Sequence, residues 1–455
     1  MKNHVIIAGL GDIGYHLAIN LISLKIPVAV IEKNKDILEK IPETELIKII
    51  NASSEVYNSL IKANINEAKI ILATLKEDAQ NILVSSLSKA LNPKITTIAR
   101  IRNKNLLNAR YLHKVLNIDI PIYPEKETAG HLFEILEYKK TRDYISLLEE
   151  KVVIRGLKVD KNSKLTGMTL FDIKNKFQKY NFLIAAITRE NEAETIIPNG
   201  QEKIELFDII YVFMNKKDEE VILKKFGYRK NKIKNALVVG ASSYGTLIVE
   251  ESVKRKISAK LIEIDRQKAK KLDELLPDTV ILNLDGTKKT ALIDNGVGST
   301  DLFVSATTDG FNNIISCKFS KNEGAKNTVS LTFNKSIYTL SYMLGVDICL
   351  NPHYTVIDRV LSLYYPKNIK SVKTLGNEDA AIIEVDIDED FFVVNKKLKD
   401  LILGNSVLVG LIKRDDITFL PGGDDYIIPN DTVFLFLLKR DINRVLDKFF
   451  NNRRK

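Results

Sequence analysis

Residues 5–14 read Val5-Ile6-Ile7-Ala8-Gly9-Leu10-Gly11-Asp12-Ile13-Gly14. An apolar run that ends in Gly-x-Gly-x-x-Gly and continues as a helix-period segment is typical of a Rossmann-type dinucleotide site. The pattern returns later in the chain as Ala236-Leu237-Val238-Val239-Gly240-Ala241-Ser242-Ser243-Tyr244-Gly245. The spacing from Gly9 to Gly240 equals the spacing from Gly14 to Gly245. A displacement shared by several positions predicts a duplicated chain with two candidate pockets.

The apolar runs around the two glycine segments predict the same architecture twice. The first copy has runs at 5–8, 28–31, 46–50, 69–74, 95–101 and 118–122. The second has them at 236–239, 259–262, 279–282, 301–306, 328–332 and 347–350. Short apolar runs that alternate with helix-period segments are typical of parallel strands joined by crossover helices. We therefore predict two Rossmann-like α/β lobes, each followed by a helix, at 127–138 and 355–364.

A shorter piece with an alternating β pattern follows each lobe, and the two pieces also resemble each other. Residues 187–191 (Ile-Thr-Arg-Glu-Asn) correspond to 412–416 (Ile-Lys-Arg-Asp-Asp). Pro198 and Pro421 are separated by the same spacing as Asp208 and Asp431. The predicted order is therefore a Rossmann-like lobe, a small α+β domain, and both again, over residues 1–140, 141–230, 231–365 and 366–455.

Composition restricts the class of protein. The chain has 455 residues, of which 45% are hydrophobic and 28% charged, and its only cysteines, Cys317 and Cys349, predict neither a disulfide framework nor a zinc cluster. No apolar run reaches the ~18 residues of a spanning helix. The net charge of +10 permits anionic partners, but the lysines are spread along the chain, so we predict no nucleic-acid partner. The basic clusters at 229–232 and 453–455 predict a linker and a solvated terminus, with docking near lipid headgroups as the alternative.

The glycines of the first copy have separate predicted roles. Gly9 permits a tight turn, Gly11 lets a pyrophosphate approach bare backbone, and Gly14 lets helix and strand pack closely. The phosphate would meet the helix N-terminus, where free N–H groups favour negative charge. Glu32 ends the next apolar run after Gly14, where it could bind ribose hydroxyls, and it favours NAD(H) or an adenine nucleotide over NADP. The alternative is that the glycines serve strand–helix packing alone.

Two arginines follow in the first copy. Arg100 and Arg102 are two positions apart on the predicted strand 95–101, so both are expected on one face. Guanidinium groups at a strand end near a phosphate site predict contacts with phosphate or with another subunit. The alternative is that both are surface arginines.

The second copy differs from the first at the same positions. It keeps Gly240, Gly245 and Glu263, but the middle glycine is replaced by Ser242. We expect this side chain to crowd the place where the backbone would meet a pyrophosphate. Leu331 and Phe333 stand at the positions that correspond to the two arginines. We predict a weaker, differently selective or empty second pocket.

Other polar patterns give weaker indications. Alternating carboxylates predict a solvated edge strand, with a Ca²⁺ or Mg²⁺ site as the alternative, at Glu384, Asp386, Asp388 and Asp390. The five histidines show no metal-ligand spacing, and the chain has no nucleophile elbow, no Walker lysine and no H-E-x-x-H motif. We therefore predict neither a metal site nor a catalytic centre.

The repeated order, the glycine segment, Glu32 and the Ala-Arg-Ile-Arg of residues 99–102 together resemble the TrkA family. The resemblance implies tandem RCK (regulator of K⁺ conductance) domains that form a ring, a tetramer, beneath an integral-membrane potassium-translocating subunit. It implies a cytoplasmic protein held peripherally at the inner face of the membrane. By position it assigns to the first pocket Gly9, Leu10, Gly11, Asp12, Ile13, Glu32, Leu75, Lys76 and Arg100. It assigns to the second pocket Gly240, Ala241, Ser242, Ser243, Tyr244, Glu263, Thr307 and Thr308.

Three functions follow as hypotheses. The favoured one is a non-enzymatic regulator that senses NAD(H), ATP or ADP and gates potassium uptake. A second is an NAD-dependent oxidoreductase, which would need an acid or base beside the nicotinamide. A third is an RCK-type sensor for another transporter or ligand. The residues leave open which nucleotide is physiological and whether it opens or closes the gate.

Overall fold

The structure, a computed structural model, describes residues 1–189, 194–333, 335–375, 379–401, 403–404 and 406–450. The first lobe is a six-stranded parallel sheet in the order β3-β2-β1-β4-β5-β6. Its strands are β1 (His4–Ala8), β2 (Val28–Glu32), β3 (Ile47–Asn51), β4 (Ala68–Ala73), β5 (Thr96–Arg100) and β6 (Ile120–Ile122). Its helices are α1 (Asp12–Ser23), α2 (Lys35–Leu38), α3 (Tyr57–Lys62), α4 (Asp78–Leu91), α5 (Lys104–Asn108) and α6 (Arg110–Val115).

The second lobe repeats this sheet in the order β14-β13-β12-β15-β16-β17. Its strands are β12 (Asn235–Val239), β13 (Ser258–Ile262), β14 (Thr279–Leu282), β15 (Leu302–Ser305), β16 (Asn327–Leu331) and β17 (Ile348–Leu350). Its helices are α10 (Ser243–Lys254), α11 (Arg266–Leu275), α12 (Lys289–Asp294), α13 (Gly310–Glu323) and α14 (Lys335–Met343). The prediction of two Rossmann-like lobes is confirmed. The central strands are apolar throughout because helices cover both faces of a parallel sheet.

A linking helix and a small antiparallel domain follow each lobe. After the first come α7 (Pro124–Leu136), β7 (Thr141–Leu147), β8 (Val152–Lys158), α8 (Leu170–Lys176), β9 (Phe182–Arg189), β10 (Glu194–Ile196), β11 (Ile209–Asn215) and α9 (Glu219–Phe226). After the second come α15 (His353–Tyr364), β18 (Ile369–Leu375), β19 (Ala380–Asp386), β20 (Val407–Arg414), β21 (Ile417–Phe419), β22 (Thr432–Leu438) and α16 (Ile442–Phe450). The sheet orders are β10-β9-β11-β8-β7 and β18-β19-β22-β20-β21. The two sheets share one hydrophobic core, in which the rings of Phe213 and Phe436 lie 5.7 Å apart.

The motif that repeats in the small domains is a structural ion pair. Arg189 Nη1 lies 2.6 Å from buried Asp208 Oδ2. Arg414 binds buried Asp431 through two hydrogen bonds of 2.9 Å. Each pair fixes a strand to the turn before its neighbour in the sheet, β9 to the turn before β11 and β20 to the turn before β22, which explains why arginine and aspartate recur together. Residues 190 and 191 of this motif lie outside the described residues, as does the basic cluster 453–455.

The acidic run in the last domain is not on an edge strand, so that prediction is wrong. β19 lies between β18 and β22, and Asp388 and Asp390 follow its end. Glu384 accepts a hydrogen bond of 2.8 Å from Ser371, and its burial raises the pKa of the carboxyl group. Lys370 forms a 2.9 Å ion pair with Asp386. Glu384 and Asp386 therefore both have partners on the neighbouring strand β18.

The chain divides into two compact units that do not follow its order. One contains residues 1–127 and 352–366, and the other contains 128–351 and 367–455. In the first unit, α15 packs on α1, and the imidazoles of His16 and His353 stack 4.6 Å apart. In the second, the Arg255 guanidinium lies 4.5 Å from the Phe133 ring of α7. The four-domain division of the sequence remains a prediction, because these units cross its boundaries.

No helix within the described ranges combines the length and the apolar character that a membrane-spanning segment needs. The described part of the chain also contains no group of three or more His, Cys, Asp or Glu side chains placed to hold a metal ion.

Candidate functional site

The backbone of the first turn requires glycine at two of its positions, Gly9 and Gly14. Gly9 follows β1 with φ of +93°, a conformation that other residues rarely adopt. A Cβ on Gly14 would lie 2.0 Å from Gly9 O, so no side chain fits between turn and helix. These glycines therefore shape the crease at the carboxyl end of the sheet whether or not a ligand binds there.

Gly11 is different, because the protein around it does not require a glycine. Its φ of −62° and ψ of −175° are open to any residue, and a Cβ there would meet no atom within 4 Å. Helix α1 begins directly after it at exposed Asp12, and no side chain of the described residues caps its first turn. Open space therefore adjoins amide N–H groups without intrahelical partners, an arrangement that suits phosphate oxygens.

Glu32 holds the glycine turn in place. Its Oε2 accepts a hydrogen bond of 2.8 Å from Leu10 N, and its Oε1 accepts one of 2.9 Å from Asn34 N. Carboxylate oxygens can accept further bonds, so ribose binding at Glu32 stays a prediction. The structure adds a bracing role that the spacing alone did not indicate.

Asn81 is a site residue that sequence reasoning missed. Its fully buried amide accepts a 2.8 Å bond from Leu75 N and donates bonds to Leu75 O (3.2 Å) and Arg100 O (2.9 Å). It therefore ties together the loops that follow β4 and β5. Leu75 lies against Gly9, and Lys76 beside it is exposed. The available signal was an asparagine at the corresponding position of the second copy, Asn313.

The two arginines converge on one buried carboxylate. β5 ends at Arg100, so Arg102 lies beyond the strand and the predicted placement of both on one strand face is wrong. Arg100 forms a close ion pair with Glu125, and Arg102 Nε lies 3.6 Å from the same oxygen, Glu125 Oε1. Glu125 is fully buried, while the arginine side chains are 17% and 28% exposed. Neither arginine is a simple surface residue.

The second lobe keeps the same frame. Gly240 has φ of +90°, and a Cβ on Gly245 would lie 2.0 Å from Gly240 O. Glu263 accepts hydrogen bonds from Ala241 N (3.1 Å) and Asp265 N (2.9 Å). Asn313 accepts a hydrogen bond from Thr307 N and donates one to Leu331 O, as Asn81 does with Leu75 N and Arg100 O in the first lobe. Thr308 is exposed.

The Ser242 side chain caps the helix that follows the turn, whereas the sequence predicted that it would crowd the place of the pyrophosphate. Its hydroxyl oxygen accepts a 3.2 Å hydrogen bond from Gly245 N and donates one of 2.6 Å to Ala306 O. The side chain thus folds back as an N-cap of α10. It removes a free N–H group from the helix terminus as well as adding a Cβ at the middle glycine position.

The wall next to this turn is apolar in the second lobe. Leu331 is buried, and the ring of Phe333 lies 6.0 Å from Tyr244, which occupies the position of Ile13. Two polar residues also lie at this crease. Lys268 Nζ lies 3.4 Å from Oε2 of Glu263, the glutamate that braces the turn. Ser243 is the first residue of α10 and is exposed. The second crease therefore presents a capped helix and aromatic rings where the first presents an uncapped helix and two arginines.

Comparison with known families agrees with this geometry. The family model described as the TrkA-N domain matches residues 5–124 and 236–352, and that of the TrkA-C domain matches 154–227 and 382–449. The chain belongs to the TrkA family. The predicted resemblance is thereby confirmed.

Relatives of the TrkA family align along nearly the whole chain. The Trk system potassium uptake protein TrkA of Azorhizobium caulinodans is 25% identical over 451 residues, which are 98% of this chain and 98% of that protein. The crystal structure of the GsuK RCK domain superposes with a TM-score of 0.65 at 14% identity, covering 98% of this chain and 95% of that one. The structure of the GsuK channel bound to NAD superposes with a TM-score of 0.64 at 14% identity, and the match covers 98% of this chain and 79% of that one. At such identities the structural likeness shows the fold.

Proposed function

We propose that this chain is the nucleotide-sensing regulatory subunit of a potassium-uptake system and acts on an integral-membrane potassium-translocating partner. Membership of the TrkA family supports potassium uptake, since a relative of that name aligns along nearly the whole chain. The sensing role rests on one observation, the open space beside Gly11 in front of the uncapped first turn of α1.

In this proposal the first pocket takes NAD(H) or an adenine nucleotide such as ATP or ADP. The ligand phosphates lie against the backbone of residues 9–14, with Glu32 at the ribose and Leu75, Lys76 and Arg100 along the adjoining strand ends. The second pocket keeps the frame as a modified partner with weaker or different binding. The GsuK channel, which shares the fold, was solved with NAD, so NAD is one of the first ligands to test.

The remaining parts of the proposal concern assembly. The chain consists of two RCK-type lobe-and-domain pairs, associates with itself as a ring, a tetramer, and lies at the cytoplasmic face of the membrane through its partner. A ligand drives such a switch only through unequal affinity for two states of the ring. We propose no chemical step, and consumption of NADH by the purified chain would contradict this part.

Calorimetric titration of the wild type and Gly11→Ala with NAD, NADH, ADP and ATP tests the pocket. The added Cβ occupies the open space, so the affinity for the bound nucleotide should fall at least about tenfold. Thermal stability should not change, since the backbone conformation suits alanine. Gly200→Ala is the matched control, because its Cβ also meets no atom within 4 Å. Equal affinity of Gly11→Ala and wild type for every nucleotide would refute the pocket.

Rubidium uptake tests the transport role. Cells that carry the membrane partner should respond to the wild-type chain, and Gly11→Ala should remove the dependence on nucleotide. Uptake that is the same with and without this chain would contradict its assignment to a potassium system and favour a sensor for another transporter.

A further inference from the structure

The segment that joins the first small domain to the second lobe is strongly basic. Residues 224–234 contain no Asp or Glu and six cations, Lys224, Lys225, Arg229, Lys230, Lys232 and Lys234. All six side chains are exposed, and so is that of Lys139, which belongs to the neighbouring segment of chain. We call these seven residues the linker patch. Since the whole chain has a net charge of +10, a large share of its positive excess lies in this one segment.

The linker patch is part of the folded structure. Its segment forms a short antiparallel bridge with the residues that follow α7. Lys139 N donates a hydrogen bond of 2.9 Å to Arg229 O, and Asn231 N donates one of 2.8 Å to Glu137 O. All of these residues belong to one compact unit. The cations are therefore held on a defined surface.

The bridge places two cations opposite each other. Arg229 and Lys139 are neighbours across it, and neither has an ion-pair partner in the part of the chain that the structure describes. The nearby Glu137 carboxylate is bound to buried Arg155, with Glu137 Oε2 and Arg155 Nη2 2.6 Å apart. Like charges that face each other across paired strands are destabilising. A negatively charged partner would remove this repulsion.

The other cations of the linker patch are only partly neutralised. Lys230 Nζ lies 2.7 Å from Glu220 Oε2. Lys224 and Lys225 lie in the last turn of α9, where positive charge complements the helix dipole. Within the described ranges, the cations that have no ion pair and no such helix end beside them are Lys139, Arg229, Lys232 and Lys234.

A surface of anionic phospholipid headgroups fits this patch. Clusters of four to eight Lys or Arg are attracted to the negative leaflet, and each such residue strengthens binding about fivefold. The rings of Phe226 and Tyr228 are buried, so the segment exposes no aromatic ring on which the bases of a single-stranded nucleic acid would stack. Its one aliphatic residue, Ile233, is half-buried. The contact would therefore involve headgroups and leave the acyl chains untouched.

We propose that the linker patch docks the chain directly on the anionic inner leaflet of the membrane. The contact is electrostatic and adds to the attachment through the membrane partner. This goes beyond the proposed function, because lipid binding by the patch needs neither the nucleotide pocket nor the partner.

Flotation of the full chain with lipid vesicles tests the docking. The wild type should float with vesicles of phosphatidylcholine mixed with phosphatidylglycerol and stay behind with phosphatidylcholine alone. The triple variant Arg229→Gln/Lys232→Gln/Lys234→Gln should bind the mixed vesicles about 100-fold more weakly, at about fivefold per charge. Wild type that does not float with the mixed vesicles, or that floats equally with both kinds, would overturn the docking.

A second triple variant controls for the loss of net charge. It removes three exposed lysines that lie far apart in the sequence, by the substitutions Lys62→Gln, Lys174→Gln and Lys271→Gln. Charges outside the contact are screened by salt, so this variant should bind the mixed vesicles within about twofold of the wild type. Equal weakening in the two triple variants would show that net charge alone acts and would overturn the role of the patch.

Salt and single substitutions separate docking from misfolding. An increase from 0.1 to 1 M salt shortens the screening length from about 10 to about 3 Å and should abolish flotation. Arg229→Lys keeps the charge and should bind as the wild type does. Lys139→Gln should bind about fivefold more weakly without a lower melting temperature, because it removes a repulsion. Flotation that survives 1 M salt, or that is lost in Arg229→Lys, would contradict electrostatic docking.

Two competitors identify the partner. Inorganic phosphate should release the chain from mixed vesicles no better than chloride at equal ionic strength, and a DNA duplex at equal phosphate concentration should not release it. Release by phosphate would assign the patch to a free anion, and release by the duplex would assign it to nucleic acid, so either result would overturn the docking. Calorimetry with nucleotides is a separate measurement, so the pocket and the patch can fail independently.

Discussion

In the first lobe the helix after the glycine turn has no side-chain cap among the described residues, whereas in the second Ser242 caps it. Both turns have the same left-handed glycine, the same close glycine contact and the same bracing glutamate. The lobes therefore share the parts that fold them and differ in the parts that would face a ligand. The two copies thus share one frame and differ in the chemistry of the crease.

The largest expected effect comes from substitutions at the close glycine contact that both turns share. Gly14→Ala and Gly245→Ala should each lower the free energy of unfolding by about 3 kcal/mol, because the new Cβ would overlap the carbonyl oxygen of Gly9 or Gly240. Urea denaturation measures this. A large loss at one position and none at the other would show that the two frames are not equivalent.

A smaller effect concerns the cap that only the second lobe has. Ser242→Ala should lower the free energy of unfolding by about 1 kcal/mol, because Gly245 N loses its acceptor. Gly11→Ala removes no cap and serves as the matched substitution in the first lobe. Equal stability of Ser242→Ala and wild type in urea denaturation would contradict the capping role.

The smallest expected effect involves His353, the first residue of α15. Burial, then the neighbouring His16 and Arg100, lowers the pKa of His353 well below its usual value. The unfolded chain therefore binds more protons below pH 6.5, and stability should fall as the pH falls through that value. Between pH 7.5 and 6.0 the contribution of His353 is about 0.8 kcal/mol. His353→Gln should reduce the slope of melting temperature against pH, and an unchanged slope would contradict this assignment.

The sequence was sufficient to predict the lobes and their order. Continuous apolar runs and glycine spacing are local signals, and the constant displacement between the two copies made each lobe evidence for the other. The two antiparallel sheets were less well predicted. The acidic run around Glu384 has the pattern of an edge strand, but strand order depends on long-range pairing that the pattern does not contain.

The sequence predicted the glycines of the candidate site but not all of the residues around them. Asn81 and Glu125 act through contacts with Arg100 at the end of β5, so the glycine spacing does not indicate them, and the sequence signal for Asn81 is the asparagine at the corresponding position of the second copy. Ser242 was recognised as a change, but the direction of its hydroxyl depends on Ala306, which lies far along the chain after β15. The packing of α15 on the first lobe was likewise invisible, because a linking helix can pack on either neighbour.

The count of nucleotides per chain tests the difference between the pockets most directly. Native mass spectrometry with ADP, at a concentration that saturates the tighter site, should show one nucleotide per chain for the wild type and for Ser242→Ala. It should show a much lower occupancy, half or less, for Gly11→Ala. Two nucleotides per wild-type chain, or one remaining in Gly11→Ala, would contradict the account of one open pocket and one modified one.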